Sequence, residues 1–235
     1  MASKLPDVLG EAFSHGRAET RTALVAAASV RLFEPGETIL RQGDESSLTL
    51  ILDGHVATRR TGDDGREIIL RIVPPGELGL ILPLAGRPAS ADAFALTSSA
   101  VARWPVAEVR ALATADSGLA LDLLDATLAI FETVVDMLDG LQYHDATRRV
   151  ARVLHVHAGL FSSEPTVLTR GHLPMLVGTS REMTGRVLRV LESRRLVARV
   201  GRNRLVVLDP VGLAAAAQNG RASGAEPRRG TSSSS

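Results

Sequence analysis

The chain contains no cysteine. That excludes disulfides, and it excludes iron–sulfur clusters and zinc sites held by thiolates. It also has no long uncharged apolar run and no signal-like start, which predicts a cytoplasmic protein without a membrane partner. The usual catalytic signatures are missing too. Ser90 and Ser180 lie outside any glycine elbow, the histidines lack the His-Glu-x-x-His spacing, and no Walker-type phosphate loop occurs. An enzyme is therefore not expected. Basic residues are absent from 116–142, a stretch that carries 6 acidic ones. The net charge of +1 conceals this segregation: residues 1–115 hold 12 Lys/Arg against 14 Asp/Glu, and residues 143–218 hold 12 against 5. Positive charge gathered in one part is the footprint of a nucleic-acid partner.

What is present is 235 residues with 45% hydrophobic content, enough for two cores in a soluble globular protein. The most informative stretch is Leu168–Glu192. Thr169 is placed to cap a short helix whose apolar positions Leu173, Leu176 and Val177 face inward, and Gly178 permits the turn that ends it. Pro174 removes a backbone donor and is expected to kink that helix. Ser180 then caps a second helix. Val187, Leu188, Val190 and Leu191 pack it onto the domain, while Arg181, Glu182 and Arg186 occupy the first turns, where a recognition helix meets bases. Arginine donates two bonds to O6 and N7 of guanine, and glutamate accepts from the amino group of cytosine. Arg181 and Arg186 are thus assigned to guanine and Glu182 to cytosine. Downstream, Leu196–Arg199 and Arg204–Leu208 form two β-type runs around a Val-Gly-Arg-Asn tip, a wing whose arginines suit phosphates. Thr169, Ser180, Arg202 and Arg204 are the expected phosphate anchors.

The acidic segment has a pattern of its own. Leu121, Leu124, Leu128, Phe131, Val135 and Leu138 alternate at spacings of three and four, the seam of a helix that requires a partner. The N-terminal part is punctuated by turn signals at 34–36, 42–44, 53–54, 62–65 and 74–76. Between them lie the β-prone runs Glu37–Arg41, Leu48–Asp53, His55–Arg60, Ile68–Ile72, Ala93–Thr97 and Val101–Trp104, as in a barrel or jelly roll. A short helical N-terminus and a helix near Val106–Ala113 are expected to flank it. Residues 219–235 are Gly/Ser/Arg-rich and read as a disordered tail.

From about Ser29 to Leu213 the sequence resembles the catabolite activator and fumarate-nitrate regulator (Crp/Fnr) superfamily of bacterial transcription factors. The string Thr179-Ser-Arg-Glu-Met-Thr-Gly-Arg-Val-Leu188 is similar to that family's recognition helix, in the Arg-Glu-x-x-x-Arg form of the catabolite-activator branch. Glu34–Asp44 and Leu50–Val56 are similar to its cyclic-nucleotide-binding fold, and Tyr143–Leu154 to its hinge and first DNA-binding helix, with Asp145 as cap. The resemblance implies an α+β protein. Its parts would be a sensor domain at 1–115 built as an N-terminal β-roll, a dimerisation helix and hinge at 116–144, and a C-terminal winged helix-turn-helix at 145–218. It further implies a homodimer on a pseudo-palindrome of TGTGA-like half-sites in promoter DNA, acting by position relative to RNA polymerase. The absence of cysteine removes the oxygen-sensing cluster used by part of the family.

One departure concerns the effector. Family members that bind cyclic nucleotides carry a Gly-Glu pair for the ribose and an Arg-Ser/Thr-Ala triplet for the phosphate. Here Leu80-Ile81 align with the pair and Ala89-Ser90-Ala91 with the triplet, so both charged contacts are lost. The helix positions that offer hydroxyls to adenine fall on Val134 and Val135. Cyclic AMP is accordingly not the expected effector, although Arg87, close to the triplet, leaves a non-standard cyclic-nucleotide pocket as an alternative. Leu78, Leu80, Ile81, Val134 and Val135 either line a cavity for an apolar effector or fill it themselves. Haem is the other option the resemblance offers. However, His15, His55, His144, His155, His157 and His172 show no diagnostic spacing, and surface or cap roles are expected for them. No metal site is expected.

Overall fold

Two antiparallel sheets and a helical layer build the N-terminal part in a computed structural model that describes residues 4–44, 47–79 and 81–219. Helices α1 (Leu5–Ala12) and α2 (Ala18–Ala27) precede strands β1 (Ser29–Phe33), β2 (Thr38–Leu40), β3 (Ser47–Asp53), β4 (Val56–Thr61), β5 (Glu67–Val73), β6 (Asp92–Ala95) and β7 (Ser99–Pro105). The sheet orders are β1-β7-β3 and β2-β6-β4-β5. Six strands coincide with the expected runs to within a residue or two, whereas β1 was not anticipated. It is an edge strand that pairs with β7 and buries only Phe33, so its sequence carries no two-sided apolar run.

The centre of this part is β3, buried on both faces. Leu48, Leu50 and Leu52 point to one side and pack with Leu5, Leu9, Trp104 and Leu119, while Ile51 points to the other and packs with Phe33, Val56, Val73 and Val101 inside the roll. Full burial of each such side chain contributes about 1.5–3 kcal/mol. The Trp104 indole is inaccessible and satisfies its N–H on the Leu24 carbonyl at 2.7 Å. At the β3–β4 turn Gly54 has φ +78, and a Cβ there would collide with the Ser98 carbonyl and Ser99.

Helix α3 (Val106–Ala115) leads into α4 (Ser117–Tyr143), which is 27 residues long. Asp116 caps α4 through the Gly118 N–H at 3.0 Å and also receives the Arg17 N–H at 2.8 Å. Thr20 donates to the same carboxylate, and these bonds hold its pKa down to about 2. Six residues later Asp122 accepts the Gly16 N–H at 3.0 Å and meets His15 Nδ1 at 2.7 Å. Two buried carboxylates thereby pin the α1–α2 turn to the start of the long helix.

The C-terminal unit comprises α5 (Ala146–Val156), α6 (Ala158–Ser162), a 3-10 turn at Arg170–His172, α7 (Leu173–Val177), α8 (Arg181–Ser193), β8 (Val197–Val200), β9 (Arg204–Val207) and α9 (Pro210–Asn219). Asp145 caps α5, accepting the Arg148 N–H at 2.8 Å. Val150, Leu154, Phe161, Leu173, Leu188 and Leu205 meet in one core. Two expectations are corrected. Pro174 lies in the first turn of α7, where no intrahelical donor is required, so it starts a helix instead of kinking one. Val190 is 39% exposed, because the α8 face toward the core is completed by Thr184, Val187, Leu188 and Leu191. Helix α9 extends through Asn219, and the remainder of the expected tail, 220–235, lies outside the described residues.

Candidate nucleic-acid interface

The local sequence forces the geometry of α7, α8 and the wing. Thr169 and His172 form a reciprocal cap, in which the Thr169 side chain receives a backbone N–H and the Thr169 N–H donates to His172 Nδ1 at 3.0 Å. Burial keeps the His172 pKa below its usual value, which suits an imidazole acting as acceptor. Helix α7 ends at Gly178 with φ +65, where the Gly178 and Thr179 N–H groups both return to the Pro174 carbonyl. A Cβ at Gly178 would sit 3.3 Å from Leu141 Cδ2, so the end of α4 packs directly against this turn. Ser180 Oγ then accepts the Met183 N–H at 3.1 Å and starts α8.

Arg181 and Glu182 are exposed in the first turn of α8, with Arg186 one turn further. Glu182 and Arg186 pair at 2.9 Å, and an exposed i,i+4 pair of this kind is weak enough to open for another partner. The wing β8–β9 turns at Gly201–Asn203, which places Arg202 on the exposed tip. Arg204 pairs with Glu164 at 2.9 Å, and Arg199 pairs with Glu192, one oxygen at 2.8 Å. Between α8 and the wing lies a groove of about 470 Å³ edged by Arg170, Arg181, Arg189, Arg199 and Asn203. The Arg170 N–H donates to the Asn203 carbonyl at 3.0 Å, joining the start of the motif to the tip of the wing. Arg170 and Arg189 escaped the sequence reading. The signal for Arg189 was present, since 181, 185 and 189 share one helical face.

The seam residues Leu121, Leu124, Leu128, Phe131, Val135 and Leu138 form an exposed stripe along α4. Of the residues expected around an effector, some are buried in the core and others are exposed. Leu78 bridges to Leu50 and packs with Ile81 in the core under α1 and α4. Ala89 is buried inside the roll, its N–H on the Asp44 carbonyl at 3.2 Å and its own carbonyl receiving the Gly43 N–H at 2.9 Å. Ser90 beside it is half-buried, Arg87 is on the surface, and Val134 and Val135 belong to the exposed part of α4. Leu80 lies outside the described residues. Among the described residues, no group of three or more His, Cys, Asp or Glu is arranged to hold a metal ion. No helix among them is long and apolar enough to cross a membrane.

A separate cleft of about 790 Å³ opens where β5, α4, α5 and α7 meet. Its lining includes Arg71, Asp136, His144, Arg149 and Arg152. Arg149 donates to the carbonyls of His144 (2.7 Å) and Val177 (3.1 Å), tying the hinge to the end of α7. Arg152 pairs with Asp136 at 2.6 Å.

Comparison with known proteins agrees with this layout. Residues 30–116 match the family model of the cyclic nucleotide-binding domain, and residues 148–216 match that of the Crp-like helix-turn-helix domain. The chain is 30% identical to the cAMP-activated global transcriptional regulator Vfr of Pseudomonas aeruginosa, over 78% of this chain and 91% of Vfr. It is 27% identical to the cAMP-activated global transcriptional regulator CRP of Salmonella typhimurium, over 72% of this chain and 85% of that protein. Among solved structures, a CRP/FNR-family transcriptional regulator from Thermus thermophilus superposes with a TM-score of 0.70 at 22% identity, covering 81% of this chain and 98% of its own. The c-di-GMP-responsive global regulator CLP of Xanthomonas campestris superposes with a TM-score of 0.69 at 24% identity, covering 81% and 99%.

Proposed function

From the premise that this chain belongs to the Crp/Fnr family of DNA-binding transcription regulators, we propose that it acts as a cytoplasmic homodimer on promoter duplexes with TGTGA-like half-sites, without control by cyclic AMP. The observation that carries this reading is α8. Its Ser180 cap holds Arg181, Glu182 and Arg186 exposed on the first turns, beside a groove edged by arginines. Arg181 and Arg186 read guanine and Glu182 reads cytosine, each bidentate contact discriminating by about 1–3 kcal/mol. Thr169, Ser180, Arg202 and Arg204 contact phosphates, joined by Arg170 and Arg189 from the groove. Arg204 exchanges Glu164 for phosphate when DNA binds. The apolar stripe of α4 supplies the two-fold axis that a palindrome requires. Transcription responds to where the bound dimer stands relative to RNA polymerase.

The effector part rests on Ala89. It stands where the resemblance requires the arginine that neutralises a cyclic phosphate, and an anion buried there unpaired costs on the order of several kcal/mol. The rival reading, a cyclic-nucleotide response through a non-standard pocket, draws support from the names of Vfr and CRP. Gel retardation on TGTGA-type and scrambled duplexes, with and without cyclic AMP, decides between them. Arg181→Ala is expected to lose about 1–3 kcal/mol on the specific duplex and to relax base choice, whereas Arg202→Ala weakens all duplexes alike. Equal losses on specific and scrambled DNA in both variants would invalidate the role assignment. Tight, saturable cyclic AMP binding would overturn the effector reading.

A further inference from the structure

We infer that the cleft between β5, α4, α5 and α7 is a binding site for a small amphipathic anion, an apolar body carrying a carboxylate or similar oxyanion head. As an effector site it rests on the regulatory reading above, but occupancy itself does not depend on DNA. The volume of about 790 Å³ is that of a small-molecule site. Much of the wall is apolar, with Ile69 and Ile72 from β5, Met137 and Leu141 from α4, and Val153 and Val156 from α5.

Charge within the cleft is layered. Arg71 is 12% exposed, while its partner Glu77 is 54% exposed; Asp136, the partner of Arg152, is 65% exposed. The cationic Arg71 head therefore lies inside, whereas Glu77, Glu132, Asp136 and the 41%-exposed Arg152 lie toward solvent. A guanidinium has five N–H donors. Arg71 spends two contacts, on Glu77 at 3.1 Å and on the Leu78 carbonyl at 2.5 Å, and Arg152 spends one on Asp136. Arg71 Nε and His144 Nδ1 are buried without any hydrogen-bond partner. Burial above all lowers the His144 pKa, with Arg148, Arg152 and Arg149 adding to it and Asp139 opposing it. Arg71, Arg149 and Arg152 on the lining, set among apolar walls, are complementary to an oxyanion on an apolar body.

The position of the cleft explains what such a ligand would do. The walls come from the sensor sheet, the long helix and the DNA-reading unit, so one occupant holds all three in a fixed relation. On α4 the cleft face runs through Ala129, Thr133, Asp136 and Gly140, opposite most of the seam, with only Phe131 and Val135 of the seam reaching the cleft edge.

Calorimetric titration of the full chain with decanoate, decanol and inorganic phosphate tests the site. Decanoate is expected to bind once per chain, with decanol weaker by about tenfold or more and phosphate alone silent. Arg71→Met and Arg152→Met should each weaken decanoate about tenfold, and Val156→Trp, at the exposed rim, should block it. Val211→Ala, on the exposed face of α9 and away from both cleft and seam, should leave affinity unchanged. Should Arg71→Met fail to fold, the more exposed Arg152 and Val156 positions still decide the matter. Absence of saturable decanoate binding, equal affinity for decanol, or unchanged affinity in both Arg152→Met and Val156→Trp overturns the site. A chain that binds decanoate but ignores TGTGA-type DNA would leave this site standing and remove the proposed function; the reverse pattern would do the opposite.

Discussion

Replacing Leu128 by alanine tests whether α4 is the dimer seam. Leu128 is 51% exposed in the single chain, so about half of its side chain remains to be covered by a partner. Full burial of a leucine contributes about 1.5–3 kcal/mol, and half of that is roughly 0.8–1.5 kcal/mol for each copy. A two-fold axis places both copies in the same interface, so the loss is about 1.5–3 kcal/mol per dimer. The dimer dissociation constant should rise about 10–100-fold. Sedimentation velocity over a concentration series measures it, with thermal melting of the dilute monomer confirming that the fold is retained. Thr133→Ala serves as the control, because Thr133 occupies the other side of α4 and bonds only within the helix, to the Ala129 carbonyl at 3.0 Å. An unchanged dimer constant for Leu128→Ala, or an equal change in the Thr133→Ala control, would show that the chain does not associate through this stripe.

Phe161 is 1% exposed in the core of the DNA-reading unit, and Phe161→Ala should cost about 3–5 kcal/mol of stability, measured by urea unfolding. Asp116 has a folded pKa of about 2 against an ordinary 3.8, so the folded state holds the ionised form. Its contribution is complete above pH 3.8 and disappears as pH falls through about 2. Melting curves across this range should lose that acid dependence in Asp116→Asn, and an unaltered profile would place it elsewhere. Arg170→Ala should weaken binding to every duplex and flatten the dependence on salt by about one unit of slope, readable by fluorescence anisotropy at several ionic strengths.

Much of the architecture was legible because it rests on local chemistry. Caps at Ser180 and Asp145, the left-handed Gly178 and the three-four spacing along α4 each announce an element through bonds made within a few residues. Pro174 misled because its meaning depends on where the helix begins, and that depends on the 3-10 turn at Arg170–His172 closed by the His172 cap. The edge strand β1 was silent because most of its side chains remain exposed. The effector residues posed a harder problem. Spacing left open whether Leu78 and Val135 line a cavity or fill it, and only packing puts Leu78 in the helical core, Ala89 in the interior of the roll and Val135 on the surface of α4.

By itself the sequence determined the order of the parts and the helix-turn-helix pattern, since these follow from periodicity, caps and residue chemistry carried along the chain, while the family was legible through the resemblance of its motifs. Only the tertiary structure decided that Arg170, Arg181, Arg189 and Arg199 edge one groove, and that Arg71 of the sheet faces the same cleft as Arg152 of α5. These groups come from distant segments, and what brings them together is the burial of apolar faces that no local pattern records.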